Sequence, residues 1–212
     1  MAAAYTAQRP AYWDAACEHL MQRDRVLNKL IPQFPNVCLE SRGDPFTTLA
    51  RSVIGQQISV KAAQAVWDRF SALMPAMEPT HLLRLKVDDM RAAGLSARKV
   101  EYLVDLALHF DNGVLQPDAW QAMDDEAIIK QLVAIRGIGR WTAEMFLIFY
   151  LMRPNVLPLD DVGLIRGISQ GYFSGDPVSR SEAREVAAAW APYCSVATWY
   201  IWRSLDPVPV AY

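Results

Sequence analysis

Leu132-Val-Ala-Ile-Arg-Gly-Ile-Gly-Arg-Trp-Thr-Ala-Glu-Met145 is the stretch on which the fold turns. Its apolar spacing predicts a helix ending near Ile135, a turn at Gly137-Ile138-Gly139 and a second helix from Arg140 or Trp141. Glycines on both sides of one apolar residue permit a tight hairpin with positive φ. They also expose backbone N–H groups at a helix N-terminus, where no Cβ blocks an approaching anion. Ile138 is expected to plug the hairpin into the core. From Ala127 to Ala143 the charged side chains are Lys130, Arg136 and Arg140, with no acid among them, so a local basic patch is expected. GxG alone is most simply a helix corner with glycine just past the cap. The full string, L-x-x-I-x-G-I-G-x-W-T-A, is far more specific.

Outward from this hairpin, helical spacing runs along almost the whole chain. Trp13, Cys17, Leu20 and Met21 follow it, as do Leu103, Leu106, Ala107 and Phe110. Helices are predicted at about 10–31, 46–54, 58–73, 80–84, 87–93, 96–110, 124–134, 140–151, 161–171, 179–190 and 195–204. Thr80, Ser96 and Ser179 each precede such a run and read as N-caps. The best strand-like segments, Asn36–Leu39 and Asn155–Leu159, are short and flanked by prolines. The fold class is therefore all-α with short connections. Arg153 to Leu159, containing Pro154 and Pro158, is the best candidate for an extended crossover between lobes.

The chain has 212 residues, 52% of them apolar and 21% charged, which excludes extended disorder. Its net charge is −2 and its pI about 5.9. Residues 1–106 carry 13 basic and 11 acidic side chains, and 107–212 carry 8 and 12. Neither half is a polyelectrolyte partner for nucleic acid, so any such binding must rest on a few placed groups: hairpin amides, Arg136, Arg140, Lys130 and Arg166. Cys17, Cys38 and Cys194 are far apart, and His19, His81 and His109 are scattered. No disulfide framework, four-Cys cluster or His/Cys metal site is spelled out. The N-terminus has no basic start and apolar core, and the most apolar run, Met145 to Met152, is far too short to span a bilayer. The chain reads as soluble and intracellular, with no membrane partner.

Val156-Leu-Pro-Leu-Asp-Asp-Val-Gly places two carboxylates at the opening of a helix. Asp160 fits the cap position, the usual role for such a residue. The adjacent Asp161 needs another reason. The helix macrodipole keeps a carboxylate ionised there, which suits stabilising a developing cation.

Taken together, the hairpin and the Asp twenty residues beyond Trp141 resemble the helix-hairpin-helix (HhH-GPD) DNA glycosylases. The branch most resembled is the AlkA-type DNA-3-methyladenine glycosylase II. A third motif agrees: Pro45-Phe-x-x-Leu and Ile54-Gly-Gln-Gln-Ile-Ser-Val-x-x-Ala look like that branch's P-F-x-x-L…GQQ(I/V)S-x-x-A. The resemblance runs from about Asp44 to Trp202. It implies a two-lobed helical fold with the active site in a cleft. Lobe one would be about 44–154, containing the hairpin at 132–151, and lobe two about 1–43 plus 155–212. The archetype's N-terminal β-rich domain is expected to be missing.

The implied reaction is hydrolysis of the N-glycosidic bond of an alkylated purine, of the 3-methyladenine or 7-methylguanine type, flipped from double-stranded DNA in base excision repair. Asp161 would be the catalytic carboxylate and Asp160 structural. Trp141 stands where bifunctional members carry a Schiff-base lysine, so a monofunctional enzyme without β-lyase activity is implied. The substrate pocket would contain Trp141, Tyr193 of Trp190-Ala-Pro-Tyr-Cys-Ser, and Met145, which replaces a Tyr. Cys194 stands where the family motif has Arg. Trp67, Trp120, Trp190, Trp199 and Trp202 are expected in the core.

DNA would be held by Gly137, Ile138, Gly139, Arg136 and Arg140. Gln57 would be the wedge that fills the emptied stack, and Gln56 would shape its loop. No cofactor is expected to be required. A monovalent cation, Na⁺ or K⁺, would sit on the backbone carbonyls of Val133, Ile135 and Gly137. A monomer is expected, in the cytoplasm if bacterial and the nucleus if eukaryotic. Two other functions fit the same residues: a glycosylase acting mainly on deaminated or etheno purines, and a non-catalytic damaged-DNA-binding protein.

Overall fold

The computed structural model describes residues 9–205 apart from 36 and 42. Among the described residues there is no β-strand. Residues 37–39 and 155–159 are irregular or turn, although Asn36, where the first strand-like segment starts, lies outside the described residues, as do 1–8 of the N-terminus. The helices are α1 (Trp13–Arg23), α2 (Arg25–Leu30), α3 (Pro45–Gly55), α4 (Val60–Ser71), α5 (Pro79–Leu82) and α6 (Val87–Ala92). They continue with α7 (Ala97–Asp111), α8 (Asp125–Val133), α9 (Arg140–Phe149), α10 (Val162–Tyr172), α11 (Arg180–Ala187) and α12 (Cys194–Leu205). Short 3-10 turns occupy Ile31–Gln33 and Pro117–Ala122. No helix among the described residues is long and apolar enough to cross a membrane.

The chain divides into two compact units, Met1–Arg42 with Leu147–Ala211, and Gly43–Phe146. The second crossing falls inside α9, ahead of the Arg153–Leu159 segment picked out by its prolines.

In the unit from 43 to 146, helix starts follow local side-chain chemistry. Asp44 accepts the Thr47 N–H with Pro45 in the first turn, and Ser59, Ser96 and Asp124 cap α4, α7 and α8. Each supplies an acceptor to an N–H that has no partner inside its helix. Thr80 does not cap: α5 starts one residue earlier, at Pro79, with Glu78 before it. Proline suits that first position because its missing N–H would have been unpaired there anyway. Trp120 is fully buried, with Phe110 and Phe146 edge-on at 6.4 and 5.3 Å. Its indole N–H donates to Gln131 Oε1 at 3.0 Å.

The other unit corrects one expectation outright. The helix predicted over 10–31 breaks at Asp24, whose backbone is extended (φ −133°, ψ 118°). Apolar spacing continues through the break, because Leu20, Leu27 and Leu30 all remain buried. Asp24 restarts the helix by accepting the Val26 and Leu27 N–H groups on Oδ1, at 2.8 and 2.9 Å. Its Oδ2 accepts the Tyr172 hydroxyl at 2.7 Å and the Trp190 indole N–H at 2.9 Å. Burial and the neighbouring Asp24 push the Tyr172 hydroxyl well above its ordinary pKa. Nearby, Trp13 meets Trp199 edge to face at 5.2 Å. A complete capping box starts α11, between Ser179 and Glu182.

Candidate active site

The hairpin forms where the glycines put it. Gly137 has φ +82°, and a Cβ there would lie 2.2 Å from Tyr102 Cδ2. Glycine is thus required twice, by backbone conformation and by the ring of α7 packed against it. A Cβ on Gly139 would meet nothing within 4 Å, so this backbone stands open to an approaching group. Ile138 is 4% exposed, the plug its position suggested. The Arg136 N–H donates to Asp105 Oδ2 at 2.8 Å, which ties the hairpin to α7.

The loop after α3 joins the same assembly. Gln56 Nε2 donates to the Gly137 carbonyl at 2.9 Å. Lys99 Nζ donates to the Ile54 and Gln56 carbonyls, at 2.7 and 2.8 Å, and so satisfies the C-terminal end of α3. Burial holds this lysine below its ordinary pKa. Gln57, next in sequence, is exposed and left-handed at φ +60°. A non-glycine residue in that region is uncommon and costs free energy, and such outliers cluster at functional sites. Exposed Ile58 and Val60 follow it. Sequence reading did not single out Lys99, and nothing local marks it, because its two acceptors lie more than forty residues away.

The basic patch is corrected. Arg140 is paired with Glu126, and its Nε donates to Glu144 Oε1 at 3.0 Å. Its hydrogen bond to Glu126, chiefly, raises the Arg140 pKa and lowers that of Glu126. Both acids lie just outside the acid-free window: Glu144 is one turn along α9, where i,i+4 spacing brings it to Arg140, and Glu126, in the first turn of α8, reaches it across the hairpin. Arg136 is exposed.

In the other unit, Asp161 is 9% exposed and caps α10, accepting the Leu164 N–H on Oδ1 at 2.6 Å. The cap therefore falls one residue later than the position given to Asp160. Asp160 instead pairs with Arg180 at 2.6 Å, on side chains that are 44% and 69% exposed. Asp161 Oδ1 also accepts the Trp202 indole N–H at 2.8 Å. Trp202 is half-buried and stacks on Phe149, centroids 5.7 Å apart and planes 9° apart. This corrects its expected place as a core residue; Trp67, Trp120, Trp190 and Trp199 are buried as expected. A periodic pattern cannot separate a Trp that fills a core from one whose ring edge reaches a carboxylate.

Tyr193 is half-buried, with Tyr12 stacked at 6.3 Å and His19 edge-on at 5.3 Å. Trp141 is half-buried and Met145 is 3% exposed, so of these two α9 residues the indole is the accessible one. Cys194, in place of the motif's Arg, is buried, which pushes its thiol up to about 11. Among the described residues no cluster of His, Cys, Asp or Glu could hold a metal ion. The Ile135 carbonyl accepts the Ile138 N–H at 3.1 Å, and the Gly137 carbonyl accepts from Gln56 Nε2 at 2.9 Å.

Residues 50–192 match the family described as "HhH-GPD superfamily base excision DNA repair protein". The chain is 32% identical to DNA-3-methyladenine glycosylase 1 of Schizosaccharomyces pombe, over 84% of this chain and 80% of that one. Its fold is similar to the crystal structure of a DNA-3-methyladenine glycosidase from Bacillus halodurans, with TM-score 0.84 and 33% identity over 96% of this chain and 93% of that one. It is also similar to the S. pombe 3-methyladenine DNA glycosylase Mag1 in complex with abasic DNA, with TM-score 0.78 and 29% identity over 92% of this chain and all of that one.

Proposed function

We infer that this chain, which belongs to the HhH-GPD superfamily of base excision DNA repair proteins, is an alkylbase DNA glycosylase that works monofunctionally on N3- and N7-alkylated purines. The observation that carries the mechanism is Asp161, a nearly buried carboxylate fixed at the start of α10 by a backbone and an indole N–H. An alkylated purine is already cationic, so it leaves as a neutral base and needs little help from a general acid. As the N-glycosidic bond breaks, positive charge develops on the sugar. A preoriented carboxylate stabilises that charge and guides a water to C1′. The products are free base and an abasic site.

Trp141 cannot form an imine, so the strand should remain uncut until alkali is added. Tyr193, in the same unit as Asp161, would offer its face to the cationic base, a contact worth ~0.5–2 kcal/mol. The protein would be a monomer on duplex DNA, with Gly137, Gly139 and Arg136 at the backbone and Gln57 in the emptied stack. Electrostatic grip should be modest, because Arg140 is already neutralised. Val133, Ile135 and Gly137 would hold Na⁺ or K⁺ by their carbonyls, adding positive charge beside a phosphate without any role in bond breaking.

The test is incubation with methylated duplex DNA, scoring 3-methyladenine and 7-methylguanine separately. Release of free base, with backbone cleavage only after alkali, is expected. Folded protein that releases neither base would overturn the reading.

A further inference from the structure

Trp202 lies outside the hairpin, the glutamine loop and the aspartate motif, yet its indole N–H reaches Asp161 Oδ1 at 2.8 Å. The same oxygen accepts the Leu164 N–H at 2.6 Å. One donor comes from the helix that Asp161 caps, the other from α12, forty-one residues along the chain. Two donors from different elements, meeting at one oxygen, fix the carboxylate's rotation as a single donor would not. The indole is held in turn: its face lies on Phe149 at 5.7 Å, with planes only 9° apart. Gly163 makes room for the pair, because a Cβ there would lie 3.0 Å from Asp161 Oδ1 and 3.3 Å from Trp202 Cδ1.

We propose that Trp202 is a positioning residue for the glycosylase reaction, with Phe149 and Gly163 as its supports: the indole N–H holds the Asp161 carboxylate in the orientation that faces the developing sugar cation. The proposal rests on the reading of Asp161 as the catalytic carboxylate. A hydrogen bond to a charged group in a dry site is worth one to two powers of ten in rate when it preorganises the reacting geometry. Trp202 has no need to touch DNA, so its effect should fall on the chemical step and spare binding.

The experiment compares Trp202→Phe, Trp202→His, Gly163→Ala and Asp161→Asn in single-turnover excision of 7-methylguanine. Affinity for a duplex containing an abasic-site analogue is measured in parallel. Trp202→Phe keeps an aromatic face for Phe149 and removes the donor; its excision rate should fall about 10- to 100-fold, with affinity within about twofold of the parent. Trp202→His restores a ring N–H and should recover part of the rate, which a merely structural role would not produce. Should Trp202→Phe fail to fold, Gly163→Ala disturbs the pair with the indole retained and should lower the rate in the same way. Parental rates in Trp202→Phe or Gly163→Ala, alongside an inactive Asp161→Asn, would overturn the proposal and leave the role of Asp161 standing. An active Asp161→Asn would overturn that role itself. Equal losses in the Phe and His variants would also refute a donor role for Trp202.

Discussion

Asp24 and Asp161 are nearly equally buried, 7% and 9% exposed, and each caps a helix while accepting an indole N–H. Exposure and capping therefore do not tell a structural aspartate from the one proposed to react. The elements that supply the donors differ. At Asp24 both oxygens are occupied: Oδ1 by two backbone N–H groups of α2, and Oδ2 by Tyr172 and Trp190. At Asp161 the amide and the indole meet on Oδ1, and the next residue, Val162, is 79% exposed. The first carboxylate closes a core. The second has its Oδ1 oriented by two donors, beside an exposed residue.

Exchanging each acid for its amide is the strongest way to break this contrast. Asp161→Asn should lower base excision by about a thousandfold or more, with duplex binding and thermal stability close to the parent. Excision assays beside a melting curve check both halves. Asp24→Asn should do the reverse. An amide NH₂ turned toward one set of donors loses those bonds, at about 3 kcal/mol of stability, while excision per folded molecule stays within about twofold. Denaturant unfolding with active-site titration would show it. If the two variants behave alike, the distinction drawn from donor geometry is wrong.

Indole substitution sharpens the same contrast at a smaller scale. Trp190→Phe removes a donor from Asp24 and leaves a gap in a fully buried place, so about 2 kcal/mol of stability should be lost without a change in excision rate. Trp202→Phe should show the opposite balance. The smallest effect belongs to a control in the unit that carries neither aspartate. Arg140→Ala should weaken binding to undamaged duplex less than Arg136→Ala, by about twofold against severalfold, because Arg140 is already paired with two glutamates. A salt titration of both variants, in which Arg136→Ala flattens the slope more, checks this.

Much of the frame was readable from local pattern. Ser96 and Ser179 cap where they were expected, and Ile138 is buried between its two glycines. The shift of the α10 cap from Asp160 to Asp161 is a one-residue error of a familiar kind, since either carboxylate can reach an N–H two or three residues on. The break at Asp24 was hidden because the leucines around it keep helical spacing through a change of backbone direction. Arg140 has no acid near it from Ala127 to Ala143, and both its partners, Glu126 and Glu144, stand one residue beyond those bounds.

The glycine hairpin, the all-α class and the candidate carboxylate could be placed from sequence alone, because each depends on contacts within a few residues or on a motif matched as a string. Three things were decided only by tertiary structure: the ammonium of Lys99 on the end of α3, the Glu126 carboxylate on Arg140, and the indole of Trp202 on Asp161. The reason is physical. A turn or a cap is fixed by backbone geometry over three or four residues. A long-range hydrogen bond depends on where packing of a core brings two helices, and no residue announces its distant partner.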